Sequence, residues 1–222
     1  MFWQLLLAHF LADFPLQPMW LVRSKRFFWG LGVHGTVPFL TLLLVVGGPR
    51  RVIWPQLLGL ALIHFAIDGL KYSLGSRRPS WVTAPYFIDQ GVHFLSVLMV
   101  AKWIESLGPE LPLAITPALA IIASAYIVVT HVWFVTEKTL AHAETGYRSE
   151  VENSLWPRML ARAAFLSGLL VLLVGRAVPL LALGTTVRLP YYKDTHWRRA
   201  LITDLLVAVL TAVFVRLAAG PL

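Results

Sequence analysis

Three pairs of ionisable residues stand four positions apart in otherwise apolar sequence: His9 and Asp13, His64 and Asp68, and, in reversed order, Asp89 and His93. Residues i and i+4 share one face of a helix, so each pair presents an imidazole and a carboxyl group together. The chain has seven His and five Asp, and random placement would give about a third of one such pair. Gln17 extends the first face by another i+4 step, Lys71 extends the second by i+3, and His34 adds a fourth imidazole between Gly32 and Gly35. Imidazole suits Zn, Fe, Ni and Cu, and carboxylate suits Mg and Mn. With no cysteine in the chain, the mixed His/Asp set points to a divalent Zn, Mn or Fe ion. The candidate ligands are His9, Asp13, His34, His64, Asp68, Asp89 and His93, more than one four-coordinate site needs. Either two metals bind, or some carboxylates orient His ligands from behind. The plainer alternative is three His–Asp hydrogen bonds that hold helices together.

These residues sit in a chain built for lipid. Of 222 residues, 58% are hydrophobic and 14% charged, against about 25% charged in an average soluble domain. Mean hydropathy is +0.71. That excludes a disulfide module, a disordered chain and an ordinary cytosolic enzyme. No cleavable signal peptide is evident at the start, Met1-Phe2-Trp3. Seven apolar segments are expected: Phe2–Leu16, Phe27–Gly47, Ile53–Leu70, Tyr86–Leu107, Leu111–Val135, Met159–Leu183 and Arg199–Ala218. The first is short for a span, which needs about 20 residues. Trp3, Trp20, Trp29, Trp54, Trp103, Trp133, Trp156 and Trp197 fall at or near segment ends, where indole meets the headgroup layer. The expected fold is all-α, a polytopic transmembrane bundle of about seven hydrophobic helices. It forms a single membrane domain over 1–222, with a motif-bearing four-helix half, 1–107, and a less specific half, 108–222. The latter contains a polar stretch, 136–157, read as an exposed loop or surface helix.

Depth sharpens the pattern. His9 and Asp13 end the first segment, His34 starts the second, His64 and Asp68 end the third, and Asp89 and His93 begin the fourth. In a chain that alternates up and down, all lie on one side of the membrane. The carboxylates form a layer roughly 5 Å inside and the imidazoles a layer roughly 10 Å inside. The Lys/Arg bias makes that side cytoplasmic. Arg23, Lys25, Arg26, Lys71, Arg77, Arg78, Lys138, Arg148 and Arg158 face in, and Arg50, Arg51, Lys102, Arg188, Lys193, Arg198 and Arg199 face out. The formal charge of +8 then reflects loops that meet anionic lipid, and no nucleic acid is expected as a partner. Asp204, Arg162 and Arg176 fall inside the later segments and are expected to snorkel or to pair across helices.

The run Ala8-His9-x-x-x-Asp13-Phe14-x-x-Gln17 resembles the signature of a family of small bacterial inner-membrane proteins of unknown function. His64-x-x-x-Asp68-x-x-Lys71 and Asp89-Gln90-x-x-His93 resemble the same family at similar spacing, over roughly the first 110 residues. More distantly, the His/Asp pattern is similar to membrane-bound metal-dependent hydrolases. The resemblance implies a multi-pass protein of the bacterial plasma membrane.

The expected function is a membrane-embedded, metal-dependent hydrolase of a lipid or lipid-linked ester or phosphoester at the cytoplasmic face. Asp13, Asp68, Asp89 and Lys71 carry the catalysis in this reading, and Gln17, Lys71, Gln90 and Arg26 hold substrate, including an anionic headgroup. Two other readings stay open: a metal or proton transporter, and a non-catalytic scaffold with a structural His/Asp cluster.

Overall fold

The structure, a computed structural model, describes residues 1–47, 53–75, 82–108, 115–171 and 177–219. Arg50, Arg51, Arg77, Arg78 and Arg176 lie outside these residues. The described residues form helices and include no strand. In lipid every backbone polar group needs an internal partner, and a helix supplies that within one segment.

In chain order the helices are α1 (Phe2–Asp13), α2 (Met19–Ser24), α3 (Phe28–Val46), α4 (Trp54–Gly75), α5 (Thr83–Ser106) and α6 (Pro117–Ile127). A π turn (Val128–Val132) leads into α7 (Trp133–Leu140), followed by α8 (Thr145–Asn153), α9 (Leu155–Leu170), α10 (Ala177–Arg188) and α11 (Trp197–Ala219). Among the described residues, four helices are long and apolar enough to cross a membrane: Phe28–Val46, Thr83–Ser106, Pro117–Ala143 and Trp197–Ala219. They mark the chain as a membrane protein. Helix α1, at 12 residues, reaches about 18 Å and is too short to be among them. Helix α4 has the length, but Gln56, His64, Asp68 and Lys71 dilute its apolar character.

The segment expected to span at Met159–Leu183 is two helices, α9 and α10. Gly168 sits so close to Leu181 that a Cβ there would lie 2.9 Å from Leu181 Cδ2. In one continuous helix those residues would be about 20 Å apart. Beginning a new helix at Ala177 puts Pro179 in a first turn, where its missing N–H is harmless. The fifth segment also runs further than expected. Its helical path continues to Ala143, so Trp133 lies inside it rather than at an end. Trp20, Trp29, Trp54, Trp103 and Trp156 are exposed, as residues meeting a headgroup layer should be.

The chain divides into two compact units, Met1–Ala120 and Ile121–Leu222. In the first unit, α1 packs against α3 and α5, α3 against α4, and α4 against α5. Leu5, Leu7, Ala8 and Ala12 of α1 are almost fully buried, beside buried Leu42 and Val45 of α3, Leu57 and Leu60 of α4, and Val97 and Ala101 of α5. Helix α1 is therefore the inner rod of this unit, and its polar residues Gln4, His9 and Asp13 must find partners inside the bundle. Phe14, Pro15 and Pro18 end it and turn the chain into α2. Gly30 lets the start of α3 approach α2, because a Cβ there would collide with the Ser24 carbonyl oxygen.

In the second unit, Ala161 and Phe165 of α9 pack with Ala208 of α11, flanked by Leu169, Leu181 and Leu201. The stretch 136–157, expected as an exposed loop or surface helix, is largely helical and partly internal. Tyr147 and Val151 of α8 pack against Ala141 and Ala200.

Candidate metal centre

Four helices of the first unit bring the seven expected ligands together. His9 (6% exposed), His34 (0%), His64 (3%), Asp68 (2%), Asp89 (5%) and His93 (1%) are buried, and the Asp13 side chain is 9% exposed. His34 Nε2 and His64 Nε2 are 3.1 Å apart. Asp13 Oδ1 lies 3.1 Å from His64 Nε2 and 3.4 Å from His34 Nε2. Asp68 Oδ2 is 3.2 Å from His34 Nε2 and 3.9 Å from His64 Nε2. The other two rings close the cluster, with centroids 5.0 Å apart for His9 and His93, 5.6 Å for His9 and His64, and 4.3 Å for His64 and His93.

The helices explain these positions. Ala8 and Ala12 let α1 lie deep in the unit, so His9 and Asp13 reach its centre. In α3, Pro38 has no N–H for the His34 carbonyl, which loosens the helix at the ligand itself. In α5, His93 Nδ1 is 2.8 Å from the Asp89 carbonyl oxygen. That contact places the ring proton on Nδ1 and leaves the lone pair on Nε2.

This donor set fits a divalent cation. Two ligands at about 2.1 Å from one ion stand roughly 3.0 Å apart at a right angle and roughly 3.4 Å apart at a tetrahedral angle. The contacts among Asp13, His34, His64 and Asp68 bracket that range, apart from the longer 3.9 Å pair. Asp13 Oδ1, Asp89 Oδ1 and His93 Nε2 are buried without a hydrogen-bond partner. Such atoms are costly in a protein interior unless something binds them.

Two lysines guard the carboxylates. Lys25 Nζ donates to Asp68 Oδ2 at 2.7 Å, and Lys71 Nζ donates to Asp89 Oδ2 at 2.6 Å. Gln17, with its amide oriented to suit both neighbours, donates to the Asp13 carbonyl at 3.0 Å and accepts from Lys25 Nζ. Gln90 donates to Asp89 Oδ2 at 3.1 Å. Both glutamines thus brace site residues, whereas Lys71, 37% exposed, also reaches outward. Arg26, expected to hold substrate, is exposed and lies over the Phe27 ring at 4.7 Å. The cation turned inward is its neighbour Lys25, which the sequence reading had left among the loop charges. The available signal was the i, i+3, i+4 set Leu21, Ser24 and Lys25, the buried face of α2.

In the second unit, Arg162 and Asp204 pair across helices, one of the two expectations for them, and they do so in a larger polar cluster with Arg158, Arg188 and Glu137 that was not expected. Arg158 Nη2 lies 2.7 Å from Glu137 Oε1 and 2.8 Å from Asp204 Oδ1. Arg162 Nη1 lies 3.1 Å from Asp204 Oδ1 and Arg188 Nε 3.5 Å from Asp204 Oδ2. Arg162 Nη2 also donates to the Thr130 carbonyl, inside the π turn, at 3.2 Å. Arg158 and Arg188 are therefore interior charges, not loop charges facing opposite sides of a membrane. The arginines Arg158 and Arg162, one helical turn apart, were the legible sign.

The family described as "Protein of unknown function (DUF3307)" matches residues 1–122, the part that carries every one of these ligands. No curated protein and no solved structure matches the chain.

Proposed function

The chain belongs to the DUF3307 family, whose activity is not established, and we propose that it is a membrane-embedded, metal-dependent hydrolase of a lipid or lipid-linked ester or phosphoester. The observation that carries this reading is the convergence of Asp13 Oδ1, His34 Nε2 and His64 Nε2 within 3.4 Å of one another inside an apolar bundle. Asp13, His34, His64 and Asp68 would hold a Zn, Mn or Fe ion. When bound, the ion supplies Lewis-acid polarisation of the scissile group and acidifies water.

The remaining residues have distinct tasks. Lys25 fixes Asp68 and Lys71 fixes Asp89 through charge-assisted hydrogen bonds. His9 Nδ1, 3.8 Å from Asp13 Oδ2, is placed to take up the proton of an attacking water. Lys71, half-buried beside the carboxylates, meets an anionic headgroup. Met19, Trp20, Phe28, Trp29, Phe87 and Ile88, close in sequence to Lys25 or Asp89, are exposed, a composition suited to a membrane interface and to acyl chains. We place the site at the cytoplasmic leaflet of the bacterial plasma membrane, in a multi-pass chain, on the strength of the loop cations Arg23, Arg26, Arg77 and Arg78 that flank the motifs in sequence.

Transport is less well supported. Beyond the rings of His9, His64 and His93 a small cavity is lined by Leu5, Pro38, Leu42, Leu60 and Val97, with Ser96 as a hydroxyl among them. An ion or proton path needs polar groups to continue through the bundle. The test is elemental analysis of protein purified without chelator or His-tag, followed by release assays on vesicles of ester and phosphoester lipids. Stoichiometric metal and metal-dependent release, both lost in His34→Ala/His64→Ala, are expected. Wild-type protein devoid of metal overturns the reading.

A further inference from the structure

Resting on the metal centre proposed above, we infer that the centre holds two divalent cations, with Asp68 shared between them. One position is the triad His34, His64 and Asp68, joined by Asp13; the other is the triad Asp68, Asp89 and His93. In each triad, one ligand atom from every residue lies within 4.8 Å of the others. The 4.3 Å between the His64 and His93 ring centroids brings the two ligand sets side by side.

The second triad is prepared on one side and left open on the other. His93 is 1% exposed; its Nδ1 is engaged by the Asp89 carbonyl, and its Nε2 has no partner. Lys71 and Gln90 both donate to Asp89 Oδ2, while Asp89 Oδ1 is buried without a hydrogen bond. Outer partners that fasten one atom of a ligand while exposing the other are what orients imidazoles and carboxylates toward a metal. A single ion among Asp13, His34, His64 and Asp68 would leave Asp89 Oδ1 and His93 Nε2 buried with nothing to bind, at a cost in stability. A second ion removes it.

The experiment uses the full chain in lipid nanodiscs, purified on a tag other than histidine and loaded with Mn²⁺ alone. Metal per chain is measured by mass spectrometry, and coupling between ions by low-temperature electron paramagnetic resonance. Two Mn²⁺ per wild-type chain with an exchange-coupled spectrum are expected. His93→Ala should bind one, with the spectrum of an isolated ion. One Mn²⁺ per wild-type chain overturns the second position but leaves the metal centre standing; none overturns both. Two Mn²⁺ retained in His93→Ala overturns the ligand assignment. The wild-type stoichiometry and spectrum decide the matter even if the variant does not fold.

Discussion

His34 Nε2 faces His64 Nε2 across 3.1 Å, from two different helices, with neither residue more than 3% exposed. One proton can be shared between two such nitrogens, but Asp13 Oδ1 beside them is left without a hydrogen bond. A cation satisfies all three atoms. Chelation should therefore destabilise the protein. At a free ion concentration of a hundred times Kd, a ligand contributes about 2.7 kcal/mol. We expect EDTA to lower the melting temperature of wild-type protein by several degrees and to leave that of His34→Ala/His64→Ala unchanged, measured by differential scanning fluorimetry in detergent.

Lys25 and Arg26 are neighbours with opposite fates. Lys25 is 6% exposed and bonded to Asp68; Arg26 is exposed. Removing one partner of a buried ion pair costs about 3–5 kcal/mol, while an exposed substitution changes stability by about 0.5 kcal/mol or less. Lys25→Met should lower the melting temperature and weaken metal retention, and Arg26→Met should do neither.

Gly30 and Gly32 separate packing from propensity. A Cβ at Gly30 collides with the Ser24 carbonyl, whereas one at Gly32 meets nothing within 4 Å. Overpacking costs typically about 1–3 kcal/mol, and Gly→Ala in an open helix position gains up to about 1 kcal/mol. Gly30→Ala should destabilise the protein and reduce metal affinity, because it pushes away the helix whose end carries Lys25. Gly32→Ala should be neutral or stabilising. Thermal melts and metal titration check both.

In the second unit, Arg158→Met would remove the one guanidinium that bonds both Glu137 and Asp204, at 2.7 and 2.8 Å, and leave their buried charges to Arg162 and Arg188. A loss of about 3–5 kcal/mol is expected, seen as reduced thermal stability. Arg199→Met breaks the exposed pair with Glu144, whose carboxyl the Arg199 hydrogen bond holds below its usual range. Exposed pairs contribute little, so this variant should melt as wild type does.

Tyr147 provides a pH signature outside the spans. Burial, reinforced by its hydrogen bond to Glu137, pushes the phenol up to about 12. The unfolded chain ionises this group near pH 10. The neutral phenol therefore stabilises the fold fully below pH 10, and that contribution is lost as pH rises through 12. Melting temperature should fall between pH 10 and 12 more steeply in wild-type protein than in Tyr147→Phe.

Composition and i+4 spacing determined that this chain is helical, that it belongs in a membrane, and that His9, Asp13, His34, His64, Asp68, Asp89 and His93 lie at matching ends of their segments. Those properties are local: each follows from the period of one helix and the hydropathy of one segment. Tertiary packing alone decided which loop cation turns inward, since Lys25 and Arg26 differ in sequence only by one helical step. Packing alone also decided that Met159–Leu183 forms two helices with Leu181 against Gly168, and that Arg158, Arg188 and Glu137 meet around Asp204. Charge neutralisation between residues 46 positions apart in the chain, Arg158 and Asp204, leaves no periodic trace, because it depends on which helix faces come into contact and not on the order of residues along any one of them.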